Sequence, residues 1–190
     1  MRETRKKYKK RVFTKKQYNS GDGMLTGVWG PSLWHFLHTM SFNYPVSPTK
    51  HDKLHYKNFI LNLQYILPCK YCRINLKKNF KTYPLKQYHF KNRESFSRYI
   101  YNLHEIINKM LGKKSALTYS DVRERYEHFR SRCMRKKPKI FNFNKTRKVK
   151  ETGCIESLYG NKSKCIIKIV PDTKKCKTLT IDKKCMKRKI

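Results

Sequence analysis

Between positions 29 and 133 the apolar residues recur at three- and four-residue steps, and no stretch of useful length alternates with period two. Leu33, Leu37, Met40 and Tyr44 form one stripe over residues 29–44; Tyr56, Phe59, Leu63 and Ile66 form a second over 52–67. Cys69, Cys72, Leu76, Phe80 and Tyr83 make a third, opened by Pro68, whose missing N–H suits a first helical turn. A fourth over 93–111 carries Phe96, Ile100, Leu103, Ile107 and Met110 and stops at Gly112, a left-handed cap. Val122, Tyr126 and Phe129 mark a shorter fifth over 120–132. Helices with one apolar face must pack on each other, and the connections are short. The expected fold is therefore all-α, a compact antiparallel four-helix bundle plus a short fifth helix.

The 190 residues carry a formal charge of +35, concentrated at the ends. Residues 1–16 hold nine Lys or Arg against Glu3, and residues 134–190 hold nineteen against four acids. We expect three parts: a basic arm over 1–27, a folded domain over 28–133, and a Lys- and Cys-containing extension over 134–190. The extension is either disordered or a small β-hairpin, the runs 165–170 and 176–181 being separated by a turn-forming stretch. Apolar residues at 38% exclude full disorder. Such a field excludes a neutral-surface metabolic enzyme and predicts salt-sensitive, nonspecific contact with DNA or another polyanion. No run of 18 apolar residues exists, so no membrane span is expected, nor, lacking an apolar leader, secretion by a signal peptide.

Cys69-Lys70-Tyr71-Cys72 admits three readings: half a zinc site, a redox dithiol, or two buried thiols. Zinc needs about four ligands, and the core has no second pair with suitable spacing, so no metal is expected. A redox dithiol needs a thiolate, which the positive pole of a helix N-terminus favours, with Lys70 and Arg73 adding charge of the same sign. Two sulfurs one turn apart also allow the second to resolve a mixed disulfide on the first.

Trp29-Gly30-Pro31-Ser32-Leu33-Trp34-His35-Phe36-Leu37-His38-Thr39, Tyr44-Pro45, Pro68-Cys69-Lys70-Tyr71-Cys72 and the segment from Leu103-His104 to Gly112-Lys113 follow in order. Together they resemble the motifs of Erv/ALR-type FAD-linked sulfhydryl oxidases over about residues 28–133. The resemblance implies a helical bundle holding FAD beside the CxxC and moving electrons from dithiol-containing protein substrates to molecular oxygen, with hydrogen peroxide as product. It implies that Cys72 is the flavin-proximal cysteine and Cys69 the one attacked by incoming thiols. It implies cofactor-binding roles for Gly30, Trp34, His38 and Tyr44, then for His104, Asn108, Gly112 and Lys113, with Tyr126 near the adenine. A homodimer through the first helices is implied as well. Taken singly, Trp34 and Tyr44 are more often core residues, and His38 and His104 hydrogen-bonded core histidines; only their joint order raises the cofactor reading.

Departures from the family pattern are specific. Glu105 stands where many members carry Asn, which places a carboxylate beside the expected diphosphate site. Positions matching the family's structural disulfide are Tyr101 and about Thr118, so the last helix must be held otherwise, with Cys133 a candidate. No CxxC precedes the core; Cys154, Cys165, Cys176 and Cys185 are shuttle, structural or free thiols. A compact oxidase lacking the shuttle pair, rich in Lys and Asn, resembles the large-DNA-virus branch. That setting implies a virion or the host cytoplasm, where such an enzyme would serve virion disulfides. The alternative function class is a basic nucleic-acid-binding or structural virion protein built on an inactive bundle.

Overall fold

The computed structural model describes residues 14–134, 153–158, 164–171, 173–174, 176 and 179–186. Four helices make the bundle: α2 (Thr26–Phe42), α3 (Lys50–Ile66), α4 (Lys70–Thr82) and α5 (Arg93–Met110). A one-turn α1 (Lys15–Tyr18) precedes them, and α6 (Tyr119–Glu127) follows. An antiparallel pair, β1 (Ser131–Met134) with β2 (Gly153–Ser157), follows α6. The fold class is the expected one.

Helix boundaries follow side-chain chemistry. Thr49 and Asp52 form a reciprocal capping box at α3, Thr118 and Asp121 do the same at α6, and Asn92 accepts the Ser95 N–H at 2.9 Å to start α5. Gly112 takes φ +65° after α5, where the expected left-handed cap falls. Pro68 lies outside its helix, because Cys69 is extended and itself caps α4.

The core is a single cluster in which Tyr44, Ile60, Phe90, Phe96 and Ile100 are fully enclosed. On α3 the buried stripe is Ile60 and Leu63 with Tyr56 beside them, whereas Phe59 and Ile66 face outward, contrary to the expected stripe. A satellite cluster of Phe42, Tyr119, Val122 and Tyr126 seats α6 on α2, and Leu179 from the extension packs against it.

Tyr101, at a position that matches one end of the resembled family's structural disulfide, donates its hydroxyl to the Leu117 carbonyl at 2.8 Å and meets the Tyr119 ring edge-on. Tyr119 shares a 2.8 Å hydrogen bond with Ser97 on α5 and carries the Arg98 guanidinium 4.0 Å over its ring. A tyrosine network thus fixes α6 where a disulfide was absent. The fifth helix ends at Glu127, short of the expected 132, because residues 128–130 turn the chain into β1, which pairs with β2. The extension's hairpin partner is therefore the core's own chain. Among the described residues of 165–170 and 176–181, where a hairpin was the option, no strand forms. In the observed register Cys133 stands opposite Cys154, and Cys154 is disulfide-bonded. Cys165, Cys176 and Cys185 are free thiols.

Candidate active site

The dithiol is built into the first turn of α4. Cys69 is the N-cap, and its sulfur accepts the Cys72 N–H at 3.2 Å, taking up one of the helix's unpaired donors. α3, α5 and α6 each begin with an acid in the first turn, and α4 has none, so no carboxylate of its own first turn offsets its positive pole. Burial pushes the Cys69 thiol up, but hydrogen bonds from the Cys72 thiol and N–H and from Thr26 outweigh it, and the net direction is down. Cys72 goes the other way, raised by burial and then by its bond to Cys69. Both thiols are free in the structure.

A strap from the segment before α2 holds this turn. Gly23 bridges Cys69 in antiparallel fashion, the Met24 N–H donates to Pro68 O at 2.6 Å, and the Lys70 N–H donates to Asp22 O at 2.8 Å. Arg73 reaches back to donate to Leu67 O at 2.5 Å and Gly21 O at 3.5 Å. Gly23 sits at φ +113°, and a Cβ there would lie 2.5 Å from Pro68 O, so no other residue fits without displacement. Residues assigned from sequence to a separate arm thus shape the site. The cluster Ser20-Gly21-Asp22-Gly23 is a turn signal that could have pointed there.

α2 leads away from the sulfurs. Thr26 Oγ1 lies 3.7 Å from Cys72 Sγ, and Gly30, Trp34 and His38 follow at four-residue steps on the same helix face. Gly30 is buried, yet an added Cβ would meet only the Thr26 methyl at 3.5 Å, an ordinary contact, so protein packing does not require glycine there. Trp34 stacks on His104 of α5, with centroids 3.9 Å apart and planes within 7°. His38 Nε2 and His104 Nδ1 share a 3.0 Å hydrogen bond, which needs at least one neutral imidazole. Burial, then the charges of His104 and His35, lowers His38 to about 3, and burial, then the charge of Lys113, lowers His104 to about 4. His38 Nδ1 is buried with no partner in the protein. A buried polar atom of this kind is normally satisfied by a bound group or an ordered water.

The remaining sequence-derived residues divide. Tyr126 joins the cluster, its ring 5.3 Å from His38 and its hydroxyl 3.3 Å from His35 Nδ1. Asn108 and Gly112 lie at the end of α5, where the exposed Lys113 donates its backbone N–H to Asn108 O at 2.8 Å. Glu105 is engaged by the Asn108 side chain at 3.2 Å, so that pair is already tied together. Tyr44 stands apart, fully buried, with its hydroxyl on Phe90 O and its ring against Tyr56 and Phe96. Its side chain is committed to the core. Thr26 and His35 were not singled out from sequence; Thr26 was detectable only as the residue one turn before Gly30.

Comparison with known proteins gives one family and three relatives. The model of the Erv1/Alr family matches residues 31–146. A mimivirus protein described as a probable FAD-linked sulfhydryl oxidase, from Acanthamoeba polyphaga mimivirus, is 37% identical over 99 residues, covering 52% of this chain and 68% of that one. An African swine fever virus FAD-linked sulfhydryl oxidase is 30% identical over 99 residues, 80% of its length, and the ERV1 protein of Arabidopsis thaliana is 31% identical over 84. The chain spans 42% of that plant relative's length.

Proposed function

Because the chain belongs to the Erv1/Alr family, we propose that it is a FAD-dependent sulfhydryl oxidase forming disulfide bonds in proteins. Electrons pass from substrate dithiols through Cys69 and Cys72 to FAD and on to oxygen, with hydrogen peroxide as product. One observation carries the reading: the helix face that starts at Cys72 with Thr26 runs through Gly30 and Trp34 to a buried, partnerless imidazole nitrogen. From Thr26 to His38 that face is about 18 Å long by helical rise. It suits an elongated ligand with flat aromatic parts.

FAD fits these residues. Trp34, His38 and His104 would hold it, Gly30 would leave it room, Tyr126 would face its far end, and Lys113 with Asn108 would lie toward its phosphates. When bound, the group supplies a two-electron acceptor and a route to oxygen. Both imidazoles stay neutral near pH 7, so they offer uncharged faces and one free ring nitrogen.

The chain's own sulfur chemistry is an exchange. A substrate thiolate attacks Cys69 Sγ of the Cys69–Cys72 disulfide, forming a mixed disulfide and releasing Cys72 as thiolate. The second substrate thiolate attacks its partner sulfur, closing the substrate disulfide and expelling Cys69. The substrate loses two electrons, and the dithiol holds them. Cys69 leaves readily because the Cys72 N–H stabilises its thiolate, and the Thr26 hydroxyl is placed to hydrogen-bond Cys72.

The viral relatives support a virion or viral-factory setting in the host cytoplasm. Exposed Phe36 on α2 packs edge-on against Phe59 on α3, a surface we assign to a second copy of the chain. The test is an absorption spectrum before and after anaerobic thiol, with oxygen uptake on dithiothreitol. We expect a yellow protein that bleaches, and Cys69→Ala and Cys72→Ala that each abolish turnover. A colourless protein, or one carrying zinc, overturns the proposal.

A further inference from the structure

α4 carries more charge than its cysteines need. Between Asp52 and Glu94 the sequence has ten Lys or Arg and no acid at all. On α4 itself Lys70, Lys77 and Lys81 recur at seven- and four-residue steps, with Lys78 beside them, and all four are exposed. The stripe starts next to Cys69 and runs about 16 Å along the helix. Arg73 is engaged by the backbone of Leu67 and Gly21, but the ion pairs among the described residues, Arg98–Glu94 and Arg130–Glu127, lie on other elements. Four like charges on three turns repel each other and cost helix stability. At the sulfur end sit two exposed apolar side chains: Tyr71 inside the CxxC and Met24 on the strap.

We infer that this α4 face is the docking surface for an acidic polypeptide segment that brings the substrate dithiol to Cys69, an inference that rests on the oxidase reading. Charge complementarity fixes the sign of the ligand. The stripe's origin at the reactive sulfur fixes its class, since whatever lies along it presents its end to Cys69, and a nucleic acid has no thiol to present. Tyr71 and Met24 add an apolar contact at the point of exchange. The charges act mainly on encounter: they raise the association rate of an acidic chain and lose their effect as salt screens them.

The test uses the full chain and three dithiol peptides of equal length, with Glu, Gln or Lys flanking the cysteines, followed by oxygen uptake. At low salt, kcat/KM for the Glu peptide exceeds that for the Gln peptide by about tenfold, and the ratio falls toward one near 0.5 M salt. The double substitution Lys77→Glu with Lys81→Glu reverses the order in favour of the Lys peptide. Because it is a ratio, a general loss of folding does not mimic it. Parity of the peptides at low salt in the unmodified protein overturns the inference. So does a variant that keeps the Glu preference while losing retention on duplex DNA, which assigns the stripe to nucleic acid. Dithiothreitol, uncharged, separates the two levels: if the unmodified protein oxidises it but treats the peptides alike, only the docking surface fails. If dithiothreitol is not oxidised, the oxidase reading fails with it.

Discussion

Cys69 and Cys72 share one helical turn and differ in what surrounds them. Cys72 packs against the core, whereas Cys69 caps the helix and receives its N–H, so their acidities move in opposite directions. In the reduced protein, alkylation by iodoacetamide should have its midpoint at lower pH for Cys69 than for Cys72, read by peptide mass spectrometry. The reverse order would remove Cys69 from the role of leaving group. The strap is tested by Gly23→Ala, which combines a Cβ 2.5 Å from Pro68 O with a left-handed φ. A loss of about 1–3 kcal/mol is expected from strain of this kind, measured by urea unfolding, together with slower thiol oxidation. Gly112→Ala is the comparison, since its φ is also positive but open space surrounds it. Cys69 and Cys72 were legible in the sequence because their spacing matches a helical turn; Gly23 was not, because its need for glycine arises from Pro68, 45 positions away.

Among the elements, α6 is the one whose attachment differs most from what its sequence suggested. Tyr101 and Tyr119 tether it to α5, and Arg130, paired with Glu127 at 2.7 Å, donates to Phe42 O on α2. Tyr101→Phe keeps the ring and removes the hydroxyl, so it should cost about 1 kcal/mol, as one lost hydrogen bond does. Thermal unfolding checks it, and an unchanged midpoint would mean that ring packing alone seats α6. Helices α3 to α5 and the start of α6 were readable to within a few residues because capping side chains and apolar period agree. α2 starts at Thr26, three residues earlier than expected, since Leu25 gives no capping bond and Pro31 sits inside the helix. β1 and β2 were out of reach for a related reason: each is short, and pairing joins them across the chain rather than within either sequence.

For the molecule as a whole, the neutral histidine pair ties stability to pH. His38 on α2 and His104 on α5 have folded values near 3 and 4, lowered chiefly by burial, against an ordinary 6.5. Unfolding therefore takes up protons below pH 6.5. The pair's contribution is complete above that value and is lost as pH falls toward 4 and then 3, with a slope of up to about 1.4 kcal/mol per pH unit for each proton. The thermal midpoint should drop between pH 6.5 and 4, and His38→Gln should flatten the drop; an unchanged slope would refute burial as the cause. The amino-acid sequence by itself determined the helical class and the place of the CxxC at a helix start, because both depend on spacings of three or four along one chain, while the candidate cofactor residues followed from the resemblance to the family's motifs. Only the tertiary structure decided that Tyr44 belongs to the core, that residues 21–24 clamp the CxxC, and that one nitrogen of His38 is left buried without a partner. Those outcomes depend on which distant segments meet, and burial and hydrogen bonding act on the neighbours that folding brings together.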